Sequence, residues 1–214
     1  MAASSINEAC FPKPGGTAIT ERAVLHCCFS KGAKLADIGC GNGESVLFIK
    51  KRFGYAITGV DIDRTLIEAL AGDDFICADA ASLPFKDGEL DGVLYECSLS
   101  KMNEPEMVLA EANRVLKNGG WIIISDFFAR GEDSSFTGIL GRVEREENIA
   151  FKLQSAGFTL DLFEDRTQDM RCLWGQLILD HGEDNIYEMF GIDKKKLKIA
   201  RCGYALFVAR KTKI

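Results

Sequence analysis

A nine-residue run, Ala36-Asp37-Ile38-Gly39-Cys40-Gly41-Asn42-Gly43-Glu44, constrains this chain more than any other feature. It sets an acid at the end of an apolar stretch and three glycines at alternate positions in the turn that follows. Glycine takes positive φ without penalty and lets a neighbour approach main-chain N–H groups that a Cβ would block. Such a turn is either a tight joint between a strand and a helix or a loop that receives a ligand. The second half of the pattern favours the ligand. About twenty residues on, Ala56-Ile57-Thr58-Gly59-Val60-Asp61 reads as another buried strand ending in an acid, the position from which a carboxylate accepts both hydroxyls of a ribose.

Two adenosine-bearing ligands use this arrangement, a dinucleotide and S-adenosylmethionine (SAM). The dinucleotide fingerprint wants a third glycine where this chain has Glu44, so that helix and strand pack closely and the pyrophosphate meets the helix N-terminus. A carboxylate in that first turn suits the helix dipole but repels a pyrophosphate, whereas a ligand bearing an ammonium and a sulfonium meets no such penalty. Asp37 points the same way, as an acceptor for a methionyl ammonium.

The segments Asp37-x-Gly39-x-Gly41-x-Gly43, Asp61, Ala78-Asp79-Ala80 and Arg114-Val115-Leu116-Lys117-Asn118-Gly119-Gly120 together resemble the ordered motifs of class I SAM-dependent methyltransferases, over about Lys34 to Asp126. The likeness is closest to the small-molecule branch of ubiquinone/menaquinone C-methyltransferases and arsenite methyltransferases, where a segment like Leu83-Pro84-Phe85 follows the adenine-binding stretch. The resemblance implies a Rossmann-like α/β fold, a doubly wound, mostly parallel seven-stranded sheet with an antiparallel last strand. It also implies SAM as cofactor, S-adenosyl-L-homocysteine (SAH) as product, and a small-molecule acceptor. Asp37, Gly39, Cys40, Gly41 and Gly43 would border the methionyl part, with Glu96. Asp61 would hold the ribose, Ile62 would pack on adenine, and Asp79 and Ala80 would address its exocyclic amine and ring.

A chain of 214 residues fits one domain able to bury a core without disulfides or metal. A formal net charge of −6 gives no basic field to gather phosphate backbones, so nucleic acid is not an expected partner. No apolar stretch approaches the roughly 20 residues that span a bilayer, and Met1 to Cys10 lacks the pattern of a signal peptide, so a cytoplasmic location without membrane insertion is expected. Eight cysteines are many, yet none forms C-x-x-C and no metal site is expected. Cys10, Cys97 and Cys172 stand apart from the others, which read as small core residues.

Residues 1–30 read as an irregular arm followed by a helix at about Thr17 to Phe29; by analogy with the family the arm lies over the cofactor, with Gly15, Gly16 and Thr20 as contacts. Residues 34–126 form the cofactor-binding core: strands at Lys34–Ile38, to Asp61, at Asp74–Cys77, Leu90–Glu96 and Trp121–Asp126, and helices at Glu44–Phe53, Arg64–Ala71 and Glu104–Lys117. For the last helix Asn103 is the expected N-cap, with Glu106 in the capping-box position and an exit at Gly119-Gly120. A helix at Val143–Ala156 leads to strands at Thr159–Glu164 and Tyr204–Ala209. Residues 166–202, too long for a hairpin, read either as a substrate-specificity insertion or as packing helices.

Methyl transfer from a sulfonium is an in-line displacement, so positioning supplies most of the acceleration; effective molarities of roughly 10⁵ to 10⁸ M for well-oriented reactants explain why no elaborate constellation is needed. The stretch Tyr95-Glu96-Cys97-Ser98 follows the fourth strand, facing the departing methyl in the fold it resembles. Glu96 is a candidate base, Tyr95 a candidate for orienting an acceptor, and Cys97 a candidate ligand for a soft acceptor atom, since arsenite methyltransferases carry a cysteine there. Asp126 and His181 are further candidate bases. Each of these has a plain alternative as a lining, capping or packing residue. His26 reads as a packing residue rather than a base, and Trp174 and Tyr187 read equally as the floor of an apolar acceptor pocket or as plain core. Beside small-molecule methyl transfer stand two alternatives: a metalloid or thiol methyltransferase using Cys97 and other cysteines, and a non-catalytic SAM-binding protein.

Overall fold

Short apolar runs rich in Ile, Val, Leu and Ala alternate with amphipathic stretches along the first 130 residues, and this rhythm folds into parallel strands linked by helices. The computed structural model describes residues 11–70 and 72–212. In chain order these form α1 (Gly16–Cys27), β1 (Lys34–Ile38), α2 (Glu44–Phe53), β2 (Ala56–Asp61), α3 (Arg64–Leu70), β3 (Phe75–Cys77), β4 (Leu90–Glu96), a 3-10 turn (Leu99–Lys101), α4 (Pro105–Val115), β5 (Leu116–Ala129), β6 (Ser134–Ser135), β7 (Arg142–Val143), α5 (Glu146–Ser155), β8 (Phe158–Asp165), α6 (Thr167–His181), α7 (Glu183–Met189), α8 (Lys194–Ala200) and β9 (Cys202–Lys211).

The seven-stranded sheet has the order β3-β2-β1-β4-β5-β9-β8, and β9 runs antiparallel to both its neighbours. The expected doubly wound sheet with an antiparallel last strand is therefore present. Side chains alternate across it. On β5, Ile123 and Phe127 join α1 and α2 residues such as Ala23, Val46 and Ile49 in one core, while Ile122, Ile124 and Phe128 join Val108, Ala112 and Leu153 of α4 and α5 in the other. Chain order reverses between β1 and β4, and the carboxyl ends of β1, β2 and β4 open a crevice at that switch point.

Three local expectations need correction. Pro105 takes the first position of α4, which needs no N–H donor there, so Glu104 rather than Asn103 is the N-cap and no side chain caps the helix. The same helix stops at Val115 instead of Lys117, because Leu116 already pairs with Leu90 and the glycine pair lies inside a long, irregular β5 rather than at a helix exit. A small hairpin, β6–β7, occupies a stretch in which no strand was expected. Residues 166–202 form three helices, α6 to α8. No helix among the described residues is long and apolar enough to cross a membrane.

Candidate functional site

β1 delivers Asp37 to the crevice, and the turn after it is drawn tight by N–H bonds from Gly39 and Cys40 to the Val60 carbonyl, 2.7 and 3.1 Å long. Gly39, Gly41 and Gly43 all take positive φ, at 76°, 51° and 74°. Their lack of a Cβ also serves packing. A Cβ on Gly39 would lie 2.6 Å from Ser98 Cβ, and one on Gly43 2.7 Å from the Phe75 ring. Asp61, at the end of β2, accepts from Gly41 N and from Asp63 N, each at 3.0 Å, which aims its carboxylate across the mouth of the turn with lone pairs to spare.

At the end of β4 the chain turns sharply. Cys97 has φ 52°, a left-handed conformation unusual for a residue with a side chain, and its N–H is held 2.8 Å from the Ser125 carbonyl. Ser98 Oγ donates to the Ile38 carbonyl at 2.7 Å, so the turns after β1 and β4 are locked together. Between them opens a cavity of about 770 Å³. Its wall includes Asp37, Gly39, Cys40, Gly41, Asp61, Ile62, Asp79, Ala80, Glu96 and Cys97. Of the residues expected at the cofactor from the core motifs, the structure brings together all but Gly43, which caps α2 behind the wall. Ile62 is 71 % exposed on this wall, an apolar face open to a flat ring.

The inner end carries a network that spacing did not reveal. Glu96 is buried, and its Oε2 lies 2.8 Å from Lys13 Nζ, contributed by the arm. Oε1 accepts from Thr20 Oγ1 of α1 at 2.7 Å, and Ser45 Oγ of α2 bonds to both Oε2 and Lys13. Burial pushes the Glu96 carboxyl up, but the Lys13 charge and these donors outweigh it and hold it below the usual carboxylate range. Asp37 is different. It is 3 % exposed and its Oδ1 has no hydrogen-bond partner. Burial, then the Glu96 charge, push it up to about 8. A carboxyl so placed beside a turn of glycines, with hydrogen-bonding capacity unused, fits a ligand bearing an ammonium group.

The arm does lie at the cavity, as expected, but through Phe11, Pro12 and Lys13; Gly15 and Gly16 form the lead-in to α1, and Thr20 acts through Glu96. Lysine gave no signal in the sequence beyond its place between Pro12 and Pro14. Lys101, Met102 and Ile139 also line the cavity and had no motif to announce them.

Other candidates lie apart from it. Tyr95 is fully buried in the opposite core because β4 alternates, so it faces no acceptor. Asp126 is buried and already accepts from Ser100 N, Ser100 Oγ and Phe127 N at 2.8–2.9 Å, which makes it a brace for the 3-10 turn. His181 ends α6 away from the cavity wall, and His26 pairs with Asp161 at 2.6 Å on the far side. Trp174 and Tyr187 pack in the α6–α7 unit beside Phe190. That unit reaches the cavity at second hand, through the edge-to-face contact of Phe190 with Phe11 at 5.1 Å. Cys97 Sγ lies 3.2 Å from Tyr204 Oη, and burial pushes its thiol up to about 12. Cys172 is exposed, and Cys10 lies outside the described residues. Among the described residues no group of three or more His, Cys, Asp or Glu is placed to hold a metal ion.

Residues 36–124 match a family model described as a methyltransferase domain. The chain is 29 % identical over 179 residues to 27-O-demethylrifamycin SV methyltransferase of Amycolatopsis mediterranei, covering 74 % of this chain and 65 % of that protein. It is 36 % identical over 103 residues to a demethylmenaquinone methyltransferase of Clavibacter sepedonicus, covering 45 % and 42 %. It therefore spans less than two thirds of the length of these curated relatives. Among solved structures, the [4+2]-cyclase SpnF superimposes with a TM-score of 0.75 at 28 % identity, over 92 % of this chain and 79 % of that one. The strand order, the glycine turn and the acids at the ends of β1 and β2 agree with this likeness to a methyltransferase domain.

Proposed function

We propose that the chain transfers a methyl group from SAM to a small-molecule acceptor bound in the switch-point cavity. One observation carries this reading: the described residues of the cavity wall include seven acids, Asp37, Glu44, Asp61, Asp63, Asp79, Glu96 and Glu104, against two lysines, of which Lys13 is spent on Glu96. Such a wall suits a ligand with an ammonium and a sulfonium and repels a pyrophosphate. Asp61 would accept from the ribose hydroxyls, Ile62 would cover adenine, Asp79 and Ala80 would meet its edge, and Asp37 would take the methionyl ammonium.

When bound, SAM supplies the electrophilic methyl group; the chain's own part is to hold an acceptor in line with it and to exclude water. Phe11, Met102 and Ile139 give the cavity apolar surface for that purpose. Glu96 is poorly suited as a base, because its ion-pair and hydroxyl partners all favour its charged form. The acceptor would then lose its proton to solvent or arrive already ionised. Burial pushes the Cys97 thiol up to about 12, which disfavours a standing thiolate there. A second reading is a SAM-binding protein without catalysis, and the match to a cyclase adds that this fold is not confined to methyl transfer.

Calorimetric titration with SAM and SAH tests the cofactor assignment. Micromolar binding by wild type, lost in Asp61→Ala, supports it; no binding by wild type refutes it. Release of SAH with quinone-like phenols, thiols or arsenite as acceptors then separates a transferase from a binding protein.

A further inference from the structure

Asp37 belongs to the cavity wall while being almost wholly withdrawn from solvent, and its buried Oδ1 has no hydrogen-bond partner. The charged groups around it come from every neighbouring element: Glu96 from the end of β4, Asp61 from the end of β2, Cys40 from the glycine turn, Lys13 from the arm, and Glu44 of α2, which acts on Lys13. Lys13 is the one cation among them. Its three N–H bonds are already committed to Glu96, Thr20 and Ser45. The Cys40 thiol is held neutral, chiefly by burial. A bare carboxylate at Asp37 would therefore sit buried, without a donor on Oδ1, beside two further carboxylates and no free positive charge. A group in that position takes a proton rather than hold its charge.

We propose that the cofactor's methionyl ammonium replaces this proton, so that binding of SAM or SAH expels one proton from Asp37 to solvent and cofactor affinity is linked to pH. The inference rests on the SAM reading above. In the empty cavity Asp37 is a neutral acid; in the complex it is a carboxylate accepting an N–H bond from the ammonium, and no covalent bond to the ligand forms. Linkage fixes the sign: the free protein binds the proton and the complex does not, so affinity rises with pH until the free acid itself ionises. With the free carboxyl at about 8, the association constant for SAH rises roughly ninefold from pH 6 to pH 7, below the range in which the ligand's own ammonium loses its proton.

The experiment is calorimetry of SAH binding at pH 6.5, where an α-amino group is almost fully protonated, in buffers of different ionisation enthalpy. The slope of observed heat against ionisation enthalpy counts protons. Wild type is expected to release close to one proton per SAH, and Asp37→Asn none. 5′-Deoxy-5′-methylthioadenosine, which has the nucleoside and thioether but no amino acid, is expected to release none from wild type. This last comparison decides the matter even where the variant binds too weakly to titrate. SAH binding by wild type without proton release, or equal release with methylthioadenosine, overturns the inference and leaves the cofactor reading standing. Absence of SAH binding at every pH overturns both.

Discussion

Replacing Lys13 by methionine removes the arm's ammonium from Glu96 and keeps most of the aliphatic stem, so it isolates the buried ion pair from the packing around it. Both side chains are shielded, at 12 % and 4 % exposure, so solvent does little to soften the loss. Removing one partner of a buried pair costs about 3–5 kcal/mol, because the other charge is left uncompensated. Here the Thr20 and Ser45 hydroxyls remain on the carboxylate, which places the loss near the lower end. Proton uptake sets a ceiling as well. From the ordinary carboxyl value of 4.5, neutralising Glu96 at pH 7 costs about 3.4 kcal/mol at about 1.36 kcal/mol per unit. At pH 5 the same route costs about 0.7 kcal/mol. The wild-type carboxyl lies below its ordinary value, so its pair is intact at both pH values and is lost only as pH falls through that depressed value. The difference in unfolding free energy between wild type and Lys13→Met is thus expected to be about 3 kcal/mol at pH 7, or about 6–12 °C in Tm, and to shrink by at least half at pH 5. Urea unfolding at the two pH values measures it. A loss under about 1 kcal/mol at pH 7, or an equal loss at both pH values, would show that Lys13 and Glu96 do not form a buried pair.

Four further outcomes follow from other parts of the site. Asp61→Ala should weaken SAH at least tenfold by titration while leaving Tm within a degree or two, since it removes a half-exposed carboxylate that braces only two loop N–H groups. Asp37→Asn should raise the Tm of the cofactor-free protein at pH 8 and lose that advantage toward pH 5, because a carboxyl whose folded value is raised gives up stability as pH climbs to about 8. Asp126→Asn leaves at least one of three buried donors without an acceptor and should cost about 1–3 kcal/mol by urea unfolding, with little change in SAH affinity. Iodoacetamide at pH 7.5 should label the exposed Cys28, Cys77 and Cys172 well before the half-buried Cys97, whose thiol is pushed up to about 12, as peptide mapping would show.

The half of the molecule proposed to hold the adenosine was legible because its chemistry is local. A glycine turn, an acid on each of two strand ends and an Ala-Asp-Ala segment are each contiguous in sequence, and the parallel sheet then aligns them without further instruction. The fold followed from the same alternation. What spacing could not give was the pairing of residues far apart in the chain: Lys13 and Glu96 are 83 positions apart, and Asp126 meets Ser100 only because β5 lies beside β4. Tyr95 shows the reverse case. It sits next to Glu96 in sequence, yet a strand sends neighbours to opposite faces, so adjacency placed it in the wrong compartment. The cap of α4 was misplaced because a proline at the first helical position outranks a good capping residue two positions earlier.

The arm rests on two things at once, Glu96 on its inner side and Phe190 on its outer side. Every described residue on the cavity wall lies before position 140, whereas α7 and the strand that shelters β5, β9, lie after position 182. Chains are made from the N-terminus, so on the ribosome the residues that would touch the cofactor emerge first and the ones that hold them in place emerge last. A nascent chain stalled before Phe190 carries a full set of contacts and neither an outer support for its arm nor a cover for β5. The cavity wall is thus made before the elements that brace it, and its arm gains its outer support only once Phe190 has emerged.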